Sequence, residues 1–143
     1  IYRCIVCGNV KSDEGVVEKS IGRSLHDRKK FTTRTKNGRV SITTWKVLER
    51  FKDFTMLQVL PHTGRTHQIR VHLSEMHHPI LGDKIYGGKI ALKIPAGIQH
   101  DRLYLHSEEL GFFHPESGKF VSFSAPLPGY FSEAIRLLRT FNE

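Results

Sequence analysis

The hydrophobic period changes sharply after Leu60, and that change constrains what this part of the polypeptide can build. Before it, the segments 2–7, 15–20, 30–35, 40–50 and 54–60 are rich in β-branched and aromatic residues, separated by turn signals such as Asn37-Gly38 and Lys52-Asp53. That pattern predicts antiparallel strands. After it, Pro61 and Gly64 punctuate, Thr66 stands at a capping position, and Ile69, Leu73 and Met76 recur at i, i+4 and i+7 from His67 onward. Such a stripe predicts an amphipathic helix, which the restricted residue before Pro79 brings to an end at His78.

Beyond a glycine-rich stretch, strands are expected at 103–113 and 119–125 around the turn Pro115-Glu116-Ser117-Gly118. A last helix is expected from about Phe131, with Phe131, Ala134, Ile135 and Leu138 on one face behind Pro128-Gly129. The predicted fold class is α+β, a mainly antiparallel mixed sheet flanked by helices and loops, in a single domain over residues 1–143. Asn37-Gly38 is the strongest hairpin signal, since both residues tolerate positive φ, and the strand after it carries Val40, Ile42 and Thr44 on one face.

The chain has 143 residues, 38% of them hydrophobic, an ordinary share for one globular domain and too high for disorder or a fibre. No stretch of eighteen apolar residues occurs, and the opening Ile1-Tyr2-Arg3-Cys4 lacks the features of a signal peptide. The expected setting is cytoplasmic, with no membrane partner. The chain begins with Ile1 and its methionines, Met56 and Met76, are internal, so a longer product with an upstream segment is expected.

Twenty-two Lys and Arg against fourteen Asp and Glu give a formal charge of +8, which favours a polyanionic partner. From Arg23 to Arg39, seven basic side chains stand against Asp27 alone. This basic stretch is expected on a hairpin, where it either follows a nucleic-acid groove or keeps a strand edge from aggregating.

Cys4 and Cys7 have a spacing that invites a zinc or redox reading, but no second pair exists, and a strand points residues three apart to opposite faces. Reduced, structural thiols are expected. His62, His67, His72, His77 and His78 do not have the four-residue step of a zinc-binding helix, so no metal is expected. Nucleophile-elbow, phosphate-loop and dinucleotide motifs are absent.

The densest chemistry lies at 60–72, where a strand delivers a glycine turn and a helix N-terminus, a place that attracts phosphate or carboxylate. Arg65, His67, Gln68 and Arg70 crowd donors around that end. If Ile69 and Leu73 face the core, Arg70 projects about 100° round the helix, where it can meet a buried carboxylate.

The segments Thr63-Gly64-Arg65-Thr66-His67-Gln68-Ile69-Arg70-Val71-His72, His78-Pro79-Ile80-Leu81-Gly82-Asp83-Lys84-Ile85-Tyr86-Gly87 and Leu103-Tyr104-Leu105-His106 follow in order. Together they resemble the carboxy-terminal half of the catalytic domain of an RNA pseudouridine synthase of the RluA family. Tyr2-Arg3-Cys4-Ile5-Val6-Cys7-Gly8 resembles that family's strand with the active-site tyrosine. Ile21-Gly22-Arg23 with Arg28-Lys29-Lys30 resembles the RNA-contacting stretch after it.

The resemblance implies isomerisation of uridine to pseudouridine in ribosomal or transfer RNA, without a cofactor. It implies that Tyr2 stacks on the uracil, unless it is an ordinary strand aromatic, and that Arg70 keeps the catalytic carboxylate ionised. Ile69 would pack beneath the site, as any core residue does. Arg65, His67 and Gln68 would orient the backbone around a flipped nucleotide, and Arg28, Lys29 and Lys30 would contact phosphates. The family's nucleophilic aspartate lies in a His-Arg-Leu-Asp segment followed by Thr-Ser-Gly, and no such segment occurs here. Asp101, in His100-Asp101-Arg102-Leu103, is a decoy, and Asp83 is expected to be structural. The acid facing Arg70 is therefore expected from outside the chain, in a missing N-terminal segment, and the chain alone is expected to be inactive. The alternative is a non-catalytic RNA-binding module.

Overall fold

The computed structural model describes residues 1–141. Strands β1 (Tyr2–Cys7), β2 (Glu14–Glu18), β5 (Ile42–Arg50), β6 (Phe54–Pro61) and β7 (Leu105–Ser107) form one sheet in the order β2-β5-β6-β1-β7, while β3 (Gly22–Arg23) pairs with β4 (Phe31–Thr32) and β8 (Glu109–Phe113) with β9 (Phe120–Ser124). Every pairing is antiparallel. The fold is thus α+β, with α1 (Gln68–Glu75), α2 (Gly88–Ala91) and α3 (Gly129–Thr140) packed around the large sheet. Among the described residues, no helix is long and apolar enough to cross a membrane.

β1 holds the core together. It runs between β6 and β7, and Cys4, Ile5, Val6 and Cys7 are buried although successive residues point to opposite faces. Both cysteines are free thiols. Burial raises the Cys7 thiol to about 11 and Cys4 further still, so neither is reactive at neutral pH. Leu57 and Val59 of β6, Leu73 of α1, and Phe131, Ala134, Ile135 and Leu138 of α3 join them in one cluster, with α3 presenting the predicted face.

Two sequence expectations need correction. The turn falls at Lys36-Asn37 instead of Asn37-Gly38, neither Asn37 nor Gly38 has positive φ, and the turn does not join paired strands. The basic hairpin closes earlier, between Arg23 and Phe31, and Gly38 is needed because its backbone packs against Ser20, where a Cβ would come within 2.9 Å of the Ser20 Cβ. Val40, Ile42 and Thr44 share a face as expected, and the covered face of that strand is the opposite one, with Ser41, Thr43 and Trp45. The predicted strand at 103–113 is two strands, β7 and β8, in different sheets.

The sheet holds α1 through polar groups. Thr43 Oγ1 lies 2.8 Å from His72 Nδ1, and His72 Nε2 lies 2.9 Å from the Lys19 carbonyl. Because a carbonyl can only accept, the neutral imidazole carries its proton on Nε2, and Nδ1 accepts from the Thr43 hydroxyl. Burial holds the His72 pKa below its ordinary value, which keeps the ring neutral.

Candidate active site

The turn from β6 into α1 is closed by its own side chains. Thr63 Oγ1 donates to Gln68 Oε1 at 2.6 Å, and the Arg65 backbone N–H donates to the same oxygen at 3.1 Å. Gln68 Nε2 donates to the Ile42 carbonyl and to Thr43 Oγ1, each at 2.9 Å. The Gln68 amide is therefore fully occupied inside the protein and acts by holding the turn. Thr66 does not cap the helix. The N-cap is His67, at φ 55 in the left-handed region and with no side-chain cap, because Gln68 reaches back to satisfy the turn instead.

That turn, β1 and β7 enclose an open cleft of about 320 Å³. Tyr2, Arg65, His67, Gln68, Ile69 and Arg70 all line it, so six of the sequence-derived residues meet in one place. Tyr2 reaches it from β1, and Ile69 belongs also to the core cluster. A wider cleft of about 540 Å³, against Val16, Trp45 and Leu60, contains none of the residues assigned to chemistry.

Arg28, Lys29 and Lys30 do not line the cleft. They are exposed on the loop between β3 and β4, whose base docks on the site through Tyr86. The Phe31 N–H donates to the Tyr86 hydroxyl at 3.1 Å, that hydroxyl lies 2.6 Å from His67 Nδ1, and the Phe31 and His67 rings meet edge to face. Burial, then the nearby Arg70 charge, lowers the His67 pKa and keeps this ring neutral too.

Arg70 does not point freely into solvent: it meets a buried carboxylate from elsewhere in the fold, Asp83. Nε donates to Asp83 Oδ2 at 3.0 Å and Nη2 to Asp83 Oδ1 at 2.7 Å. Asp83 Oδ1 also accepts the Ile85 and Tyr86 N–H groups, each at 3.0 Å, and its side chain is wholly buried. Burial alone pushes the Asp83 carboxyl up, but these donors outweigh it and hold the pKa below the usual carboxylate range. Both oxygens of this carboxylate are engaged inside the protein. The guanidinium lies over the Tyr86 ring, 5.2 Å from its centre, and Nη1 has no hydrogen bond among the described residues.

Asp101 is exposed, paired with Lys84 Nζ at 2.7 Å, and does not line the cleft. The histidines scatter: His62 meets Thr44, His67 meets Tyr86, His72 meets Thr43 and His78 meets the Cys7 carbonyl. Sequence reasoning left Tyr86 without a role and missed that Pro61, Thr63, Gly64 and Leu105 line the cleft. The Leu81-Gly82-Asp83 to Tyr86-Gly87 spacing was the available signal.

The family described as RNA pseudouridylate synthase matches residues 1–75. The uncharacterized RNA pseudouridine synthase YlyB of Bacillus subtilis is 41% identical over 138 residues, 96% of this chain and 43% of that protein. Ribosomal large subunit pseudouridine synthase D of Neisseria meningitidis serogroup A is 40% identical over 148 residues, 97% of this chain and 38% of that protein. Among solved structures, human RNA pseudouridylate synthase domain containing 4 superposes with a TM-score of 0.74 at 26% identity, over 96% of this chain and 61% of that one. The chain spans less than half the length of the two curated relatives named here. On this identity and coverage, the chain belongs to the RNA pseudouridine synthases, in the RluA family.

Proposed function

We propose that residues 1–143 are the C-terminal portion of the catalytic domain of an enzyme that isomerises uridine to pseudouridine in structured RNA, ribosomal or transfer, in the cytoplasm. The chain supplies the supporting wall of the active site, and an N-terminal segment supplies the nucleophilic aspartate. The observation that carries this reading is that Tyr2 and Arg70, from elements far apart in sequence, line one cleft.

The reaction breaks the bond from ribose C1′ to uracil N1, rotates the base, and forms a bond from C1′ to C5. The C5 proton leaves and N1 gains one, so there is no net redox change. An ionised carboxylate must attack the sugar or remove a proton from it, and a guanidinium beside it keeps it charged. In this reading the unpaired Nη1 of Arg70 receives that carboxylate, while Asp83 fixes the guanidinium from behind. Tyr2 stacks on the uracil and assists removal of the C5 proton. Arg65, His67 and the turn held by Gln68 position the flipped nucleotide, and Arg28, Lys29 and Lys30 add salt-sensitive phosphate contacts.

A second reading, a non-catalytic RNA-binding module, is favoured by one observation: Arg70 already has a carboxylate, so its charge is balanced with no incoming acid. Tritium release from RNA labelled at uracil C5 separates the two. The enzyme reading expects none from this chain and release by the intact gene product. An intact product that binds RNA yet releases no tritium from transfer or ribosomal RNA overturns it.

A further inference from the structure

Beside the Tyr2 and Arg70 cleft lies a second one of about 280 Å³, and the two share Gly64 and Arg65. Three arginines, Arg23, Arg39 and Arg65, line this second cleft, and its lining contains no carboxylate. None of the three forms a salt bridge among the described residues. Three like charges around so small a space repel one another, and an anion relieves that repulsion.

The backbone assembles the cluster. Ile21 and Arg39 exchange two N–H to carbonyl hydrogen bonds, at 2.9 and 2.8 Å, which set Arg39 beside the start of β3. A Cβ on Gly22 would lie 3.2 Å from the Gly38 Cα and 2.5 Å from Thr35 Cγ2, so the close approach of the two segments needs glycine there. Two of the guanidinium groups are also held before any ligand arrives. Arg23 Nη1 donates to the Arg28 carbonyl at 2.7 Å and its Cζ sits 5.0 Å from the centre of the Phe31 ring. Arg65 Nε donates to the Val40 carbonyl at 3.0 Å. In both, the remaining guanidinium nitrogens stay available, and a fork fixed by a carbonyl loses less freedom on binding an anion. The Asn37 amide and Thr66 hydroxyl add neutral donors to the lining.

We propose that Arg23, Arg39 and Arg65 form a seat for a single phosphodiester of the RNA backbone. The inference rests on the RNA reading above and extends it: because the seat shares Gly64 and Arg65 with the Tyr2 and Arg70 cleft, the phosphate it holds is one next to the nucleotide in that cleft. The chemistry recognised is a lone non-bridging oxygen pair, not a base, so the seat contributes affinity and register without sequence preference.

The test uses the full chain and a fluorescein-labelled RNA hairpin with a uridine-containing loop. Affinity is measured across a salt series for the wild type, for Arg23→Gln, Arg39→Gln and Arg65→Gln singly, and for the triple variant. Salt dependence counts phosphates neutralised, so a shared seat predicts that the triple variant loses a slope of about 0.7–0.9, the value for one phosphate, and not three times that. Each single substitution weakens binding by on the order of tenfold, and the three together cost far less than the product. Replacing loop phosphates one at a time by neutral methylphosphonates should find one position that weakens the wild type but leaves the triple variant unaffected.

An unchanged slope in the triple variant, a loss worth three phosphates, or the absence of such a position overturns the seat while the RNA reading stands. A wild-type chain without salt-sensitive RNA binding overturns the RNA reading and the seat with it. Should the triple variant fail to fold, Arg39→Gln alone, at an exposed side chain, with the methylphosphonate scan decides the matter.

Discussion

The guanidinium of Arg70 lies side-on against the carboxylate of Asp83, with two charge-assisted hydrogen bonds of 3.0 and 2.7 Å. Both groups come from segments that resemble the family, yet the pair itself is a property of the fold, joining α1 to the loop before α2. Asp83 also pins the Ile85 and Tyr86 N–H groups, so one buried carboxylate organises the whole turn. Asp83→Asn leaves Arg70 uncompensated and is expected to destabilise the chain by about 3–5 kcal/mol. Urea unfolding at constant m-value checks this, and a loss below about 1 kcal/mol would contradict the organising role.

Stability should also depend on pH in two windows. His72 has a folded pKa below its ordinary value of about 6.5, so the unfolded chain binds its proton first as pH falls. Stability contributed by neutral His72 is present above about pH 6.5 and declines below it, until the folded ring protonates as well. Asp83, also depressed, contributes stability above about pH 3.9 that is lost as pH falls through its lower folded value. In thermal melts His72→Gln should shallow the upper window and Asp83→Asn the lower one, without abolishing either, since His67 and Glu75 are shifted in the same direction as His72 and Asp83.

Tyr86 ties the basic hairpin to the cleft. Tyr86→Phe removes the acceptor of the Phe31 N–H and the partner of His67 Nδ1, and is expected to cost about 1–2 kcal/mol. Hydrogen exchange should report faster opening at the Phe31 amide than at Val59, which is buried in β6. Equal protection at both amides, relative to wild type, would show that the hydroxyl does not hold the hairpin.

Arg70→Met in the intact gene product should abolish tritium release from C5-labelled RNA while leaving RNA affinity within about threefold, because the residue acts on the reacting carboxylate and the phosphates are held elsewhere. Near-normal turnover in that variant would remove Arg70 from the chemistry.

The strands, α1 and α3 were legible because each carries one clean period: Phe131, Ala134, Ile135 and Leu138 form the buried face of α3 as read. The gathering of Tyr2, Arg65 and Arg70 was legible through family resemblance, since no local pattern relates a residue on β1 to one on α1. What escaped was long-range pairing. Gly38 reads locally as a hairpin glycine, but the reason for it is Ser20, which only the folded chain brings near. Arg70 reads as awaiting an acid, because the sequence does not say that the loop at Asp83 folds back beneath it. Gln68 reads as a donor to substrate, and only the structure shows all its hydrogen-bonding capacity consumed by Thr63, Arg65, Ile42 and Thr43.

The place of β1 between β6 and β7 has a consequence for biosynthesis. Tyr2–Cys7 is translated before either neighbour, and its second edge stays open until Leu105–Ser107 has been made. Between the pairing of β6 and the synthesis of β7, a nascent chain therefore carries an apolar strand with one open edge. Aggregation during expression should track how long that interval lasts.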